Sequence, residues 1–104
     1  MALGEEKKEE VIEMQEEIGE TGAEPGMVRL FINIGRNHKI QARDVIGAIA
    51  GETGIPGKVI GKIDIYEKFT FVEVPRENAR EVLGIMKNNT IKGKKINIEP
   101  ANAR

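Results

Sequence analysis

The sequence predicts an α+β domain of order βαββαβ, a four-stranded antiparallel sheet with two helices on one face. Three observations carry this reading. Apolar and polar residues alternate in four short runs, the period of a half-buried strand. Two intervening segments repeat their apolar residues at helical spacing. Charge marks off the folded part: residues 1–26 hold nine glutamates and two lysines, net −7, whereas residues 27–104 hold eight acids and fourteen Lys or Arg, net +6. The overall net charge of −1 therefore conceals a basic domain behind an acidic segment.

In the acidic segment, Val11, Ile12, Met14 and Ile18 stand among glutamates and permit a short amphipathic helix. Gly19 through Gly26 carries three glycines and Pro25, the composition of a linker. Residues 1–26 are expected to be a tail or connector, residues 27–100 the domain, and residues 101–104 a C-terminal tail. Val28, Leu30, Ile32 and Ile34 alternate with Arg29, Phe31 and Asn33 to give the first strand. A turn from Gly35 to Lys39 leads to a helix over about Ala42 to Thr53, with Val45, Ile46, Ile49 and Ala50 inward and Gly54 placed to end it. The second strand is expected from Gly61 to Tyr66 with Ile63 and Ile65 inward. After a tight turn at Glu67-Lys68, the third runs from Phe69 to Val74. Pro75 stops it. A second helix over about Glu77 to Lys87 points Ala79, Val82, Leu83 and Met86 inward, and Asn88-Asn89 breaks it. Lys92-Gly93-Lys94 turns the chain into the last strand, with Ile96 and Ile98 inward.

Two split βαβ units of this kind leave one sheet face bare. Alternation places Arg29, Phe31, Asn33, Lys62, Asp64, Tyr66, Phe69, Phe71, Glu73, Lys95, Asn97 and Glu99 on it. The first and third strands are central, so Phe31 and Phe71 are expected to be neighbours. Apolar rings on a wet face are costly unless something covers them, and stacked bases are one cover. A basic domain also favours polyanions. Phe31 and Phe71 are the first stacking candidates. Phe69 and Tyr66 come second, because a twist of the hairpin turn would carry either inward. The cations expected to hold phosphates are Arg29, Arg36, Lys39, Lys62, Lys92, Lys94 and Lys95. Lys92, Lys94 and Lys95 are read as one basic loop beside the last strand, with Arg36 and Lys39 in the opposite loop. The competing uses of these residues are ordinary solvated charge and rings hidden by a terminal segment.

Other chemistries have little to draw on. The absence of cysteine removes disulfides and Cys-based zinc sites, and a single histidine, His38, supports neither a His-rich metal site nor a His-centred triad. No cofactor is expected. No apolar run approaches the ~20 residues of a membrane span, and the acidic N-terminus lacks the basic start and apolar stretch of a secretory signal. The expectation is a soluble cytoplasmic protein that does not engage membranes. Gly51 to Lys58 suggests a phosphate loop but fails: Gly51 and Gly57 are one residue too far apart, Val59 replaces the Ser or Thr, and the stretch follows a helix.

Several stretches resemble a known family. Leu30-Phe31-Ile32-Asn33-Ile34-Gly35 resembles the shorter signature of the RNA-recognition motif (RRM), a ferredoxin-like fold, and Lys68-Phe69-Thr70-Phe71-Val72-Glu73-Val74 resembles the longer one. Arg29 to Asn97 as a whole resembles the C-terminal RRM-like RNA-binding domain of bacterial DEAD-box RNA helicases of the DbpA and DeaD type. Asp44-Val45-Ile46-Gly47-Ala48-Ile49, Ile60-Gly61-Lys62-Ile63-Asp64-Ile65-Tyr66, Phe71-Val72-Glu73-Val74-Pro75 and Ile91-Lys92-Gly93-Lys94 are the most telling pieces. The resemblance implies a non-catalytic module that tethers the two ATPase domains of an ATP-dependent helicase to structured RNA. Ribosomal RNA, ribosome assembly and cold adaptation belong to that implication. Helicase core domains are then further partners, in the parent protein. The longer signature departs from its pattern at Thr70, where Gly or Ala is usual, and at Glu67, where a basic residue would hold a phosphate. Gripping by loop lysines at the sheet edge therefore stands beside stacking on the face as a second mode. The alternative function is a protein-docking or dimerisation domain, in which Asp64, Glu73 and Glu99 would have to be desolvated.

Overall fold

Strict alternation from Val28 to Ile34 makes the first strand the spine of the molecule. In the computed structural model, which describes residues 22–101, Val28, Leu30 and Ile32 are fully buried and Ile34 nearly so. The elements in chain order are β1 (Met27–Ile32), α1 (Ala42–Thr53), β2 (Ile63–Ile65), β3 (Thr70–Pro75), α2 (Arg76–Met86), β4 (Thr90–Ile91), β5 (Lys94–Lys95) and β6 (Ile98–Pro100). The main sheet has the order β2-β3-β1-β6 and is antiparallel throughout. One face packs on both helices: Val28, Leu30, Ile32, Val72 and Val74 share a core with Val45 and Ile49 of α1 and with Ala79, Val82 and Met86 of α2. Burying each of these side chains larger than alanine contributes about 1.5–3 kcal/mol relative to leaving it in water. This is the α+β, ferredoxin-like arrangement the alternation predicts.

The helix limits have local causes. Gly54 takes a left-handed φ of 80° and donates its N–H to the Ala50 carbonyl at 2.9 Å, closing α1. Asn88, at φ 63°, turns the chain out of α2. At the other end of the sheet, the Gly26 carbonyl accepts the Arg76 N–H at 2.9 Å, so the chain entering β1 is tied to the start of α2.

Three expectations are corrected. The predicted second strand from Gly61 shortens to Ile63–Ile65. Gly61 donates to the Glu73 carbonyl and Lys62 accepts the Glu73 N–H, so two residues face one and the ladder bulges. The predicted last strand divides. Lys92 and Gly93 have φ of 54° and 79°, as a two-residue hairpin turn requires, and they fold Thr90–Ile91 back on Lys94–Lys95. Lys95 therefore lies in this hairpin, not on the bare sheet face; only β6 joins the sheet. Glu73 does oppose Arg29 in register but is buried, at 4% exposure. Met27 and Gly61 close over it: a Cβ on Gly61 would sit 2.7 Å from Met27 Cε and 3.3 Å from Glu73 Cβ.

Candidate nucleic-acid interface

All four aromatic residues of the chain meet on the face the helices leave open. Phe31 and Phe71 are directly opposed across β1 and β3, with ring centroids 5.9 Å apart and edge to face. Phe69, just before β3, lies stacked 5.7 Å from Phe31 and 5.0 Å from Tyr66. The hairpin turn thus twists neither Phe69 nor Tyr66 inward, and among the described residues Tyr66 is the most exposed of the large apolar side chains, at 45%. The turn is held outward by its neighbour. Arg36 and Asn37 donate their N–H groups to the Tyr66 and Glu67 carbonyls at 2.7 and 2.9 Å. The approach is so close that a Cβ on Gly35 would lie 2.6 Å from the Phe69 nitrogen and 2.8 Å from the Glu67 oxygen. Only glycine fits there.

The cations do not ring this cluster evenly. Arg29 sits on the face itself, its guanidinium carbon 4.6 Å from the Phe71 centroid and its Nη2 2.8 Å from Asp64 Oδ2. Lys62 lies 3.9 Å from the same carboxylate with its side chain 67% exposed. Asp64 and Glu99 occupy the two ends of the cross-strand row Asp64, Phe71, Phe31, Glu99. On the open face, acids therefore balance bases.

The excess positive charge is at one end of the sheet. Lys92 Nζ reaches across 53 residues to the Lys39 carbonyl at 2.8 Å and lies 3.7 Å from Asp44. The loops of Arg36 and Lys39 and of Lys92, Lys94 and Lys95, expected on opposite sides, are therefore one assembly. Arg36 and Lys92 are partly committed to holding it, because Arg36 Nη2 donates to the Ile65 carbonyl at 2.9 Å. Lys39, Lys94 and Lys95 are exposed. Lys68, in the adjoining turn, is exposed as well and was not among the expected contacts, although its place beside Tyr66 and Phe69 was plain in the sequence.

The two departures from the longer signature have different fates. Thr70 faces the helices, fully buried, and its hydroxyl donates to the Ile34 carbonyl at 2.8 Å; it leaves the ring face undisturbed. Glu67 is exposed in the turn, between the rings and the basic end. His38 helps to hold its own loop, where its Nδ1 accepts the Gly35 N–H at 3.2 Å.

A family model described as the DbpA RNA binding domain matches residues 29–100. The chain belongs to that family. It is 37% identical to the ATP-dependent RNA helicase DbpA of Bacillus subtilis over 76 residues, which is 73% of this chain and 16% of that protein. The DbpA helicase of Escherichia coli is 34% identical over 71 residues, 68% of this chain and 16% of its own length. The DeaD helicase of Buchnera aphidicola from Schizaphis graminum is 35% identical over 68 residues, 65% and 11% of the respective chains. The chain thus spans about a sixth or less of the relatives it matches. In this DbpA-type domain, sequence reasoning missed the shallow cavity of about 280 Å³ beside the rings, lined by Phe31, Phe71, Glu99, Pro100 and Ala101. Its signal was the register of β6, which puts Glu99 opposite Phe31.

Proposed function

We propose that this chain is the RNA-binding module of an ATP-dependent DEAD-box RNA helicase, carrying no catalysis of its own and tethering the ATPase domains of the parent protein to structured RNA. Ribosomal RNA in the cytoplasm is the proposed target, with residues 1–26 as the connector. One observation carries the reading: Tyr66, Phe69, Phe71 and Phe31 form a continuous ring surface on the sheet face opposite the helices. The basic end beside Tyr66 supplies what the face lacks. Phosphates lie along Lys39, Lys68, Lys94 and Lys95, and unpaired bases reach from there onto Tyr66 and Phe69. The face and edge modes are in this view two halves of one site.

The test is titration of a fluorescently labelled RNA hairpin with the full chain at two salt concentrations. The association constant should fall with salt, with a log–log slope of about −0.7 for each phosphate held along a single strand. Phe69→Ala should weaken binding at both salts. Binding that ignores salt and ring removal, with dimers growing with concentration, would instead point to a protein-docking face. Removing residues 1–21 takes away eight glutamates and two lysines, net −6, and should tighten RNA binding.

A further inference from the structure

The chain enters β1 through a reversal. The Met27 N–H donates to the Glu24 carbonyl at 2.9 Å, and Gly26 between them has φ 82°. Proline second and a left-handed glycine third is the pattern of a type II turn. Such a turn sends the chain ahead of Glu24 back alongside β1, toward the end of the sheet where Gly35, Tyr66 and the basic loops meet. That end joins two chemistries. Tyr66 is exposed and stacks on Phe69. Lys39, Lys68, Lys94 and Lys95 are exposed beside them, with Glu67 the one acid in the turn. The acidic segment carries the complement of both. Residues 9–20 hold six glutamates and no cation, net −6, with Val11, Ile12, Met14 and Ile18 interleaved among them.

We infer that this segment is an internal cover for the ring and lysine site, its glutamates standing in for phosphates and its apolar side chains for bases, so that RNA binds by displacing it. The inference rests on the RNA-binding reading above. Reach allows it: Met27 to Gly35 is about 26 Å of extended chain, whereas the residues from Gly26 back to Ile12 can extend about 46 Å. Glutamates meet the exposed lysines as opposite charges. Exposed rings gain from an apolar partner, and the polarizable thioether of Met14 suits them. A tethered segment competes at an effective concentration on the order of millimolar, so weak contacts suffice. A cover in place in about nine molecules of ten lowers the apparent RNA affinity about tenfold. Simple repulsion of RNA by a negative tail is a different effect: it depends on net charge and is indifferent to Val11, Ile12 and Met14.

Tyr66 is the one tyrosine of a chain without tryptophan, so intrinsic emission reports on the site with no label. The experiment measures acrylamide quenching of that emission, and titration with a labelled RNA hairpin, on the full chain and two full-length variants. One variant, Val11→Ser with Ile12→Ser and Met14→Ser, keeps the charge. The other, Glu13→Gln with Glu16→Gln and Glu17→Gln, keeps the apolar residues. Both should make Tyr66 easier to quench and tighten hairpin binding at low salt by about three- to tenfold. High salt should bring quenching of the wild type toward that of the variants. Equal quenching of Tyr66 in all three proteins would overturn the cover. Hairpin affinity moved by the glutamine variant and not by the serine variant would reduce the segment to a field, and overturn it too. Protection of Tyr66 that is lost on dilution would place the segment on a second copy of the chain, against an internal cover. Quenching that changes as expected, with no hairpin binding by any of the three, would overturn the RNA-binding reading and the competition with it.

Discussion

On β1, Val28, Leu30 and Ile32 are wholly buried, while Arg29 and Phe31, interleaved with them, remain half-exposed. The same strand thus serves two solvents. On the packed face of β1 every side chain is aliphatic, and the helices exclude water from it. At the centre of the open face the apolar groups are aromatic, and their flat surfaces are shared among themselves, a cation and water. Aliphatic packing needs many close neighbours to stabilise, whereas a ring gains from a single flat partner. The open face therefore keeps capacity for a ligand that the packed face has already used.

The sharpest way to break this comparison is to damage the packed face alone. Leu30→Ala removes a fully buried side chain and should cost about 2–5 kcal/mol in urea unfolding. The affinity of the protein that remains folded should not change. A matching loss of RNA affinity per folded molecule would mean that the two faces are not separable. Gly35→Ala acts where the faces meet. Its Cβ would press on the backbone of the Tyr66–Phe69 turn, so a cost of about 1–3 kcal/mol is expected together with weaker RNA binding. Normal binding in that variant would show that the turn's position does not matter to the rings.

Phe69→Ala reverses the pattern. It should cost about 1–3 kcal/mol of RNA affinity and less of stability, because Phe69 is only half-buried between Phe31 and Tyr66. Thr70→Val, one residue on and facing the other way, should cost about 1 kcal/mol of stability by leaving the Ile34 carbonyl unpaired, with RNA affinity untouched. Paired thermal melts and titrations of these two neighbours would test whether one step along the chain exchanges binding for stability.

The fold was legible because its signals are local. Alternation from Val28 to Ile34 and the apolar spacing of Val45 and Ile49 state which side is inside without reference to the rest of the chain. The opposition of Phe31 and Phe71 followed from element order. What could not be read depends on distant partners. Glu73 looks like an open-face residue until the bulge at Gly61 and the side chain of Met27 are in place. Thr90-Ile91 is too short to announce a strand, so of the hairpin that lifts Lys95 off the sheet the sequence displays only the turn. The union of the two basic loops rests on Lys92 reaching Lys39, a contact no window of sequence contains.

That union separates two lysines that composition alone treats as alike. Lys94 is exposed, whereas the Lys92 amine is bonded to the Lys39 carbonyl and lies near Asp44. If Lys94 holds a phosphate, Lys94→Gln should flatten the salt dependence of RNA binding by about 0.7 in log–log slope and leave stability unchanged. Lys92→Gln removes the same charge but also the link between hairpin and first loop. It should lower the melting temperature slightly, and its effect on the slope should be smaller, because Asp44 already neutralises part of that charge. Equal slopes and equal melting temperatures in the two variants would mean that the basic end acts as a diffuse field, with no particular lysine placed for contact.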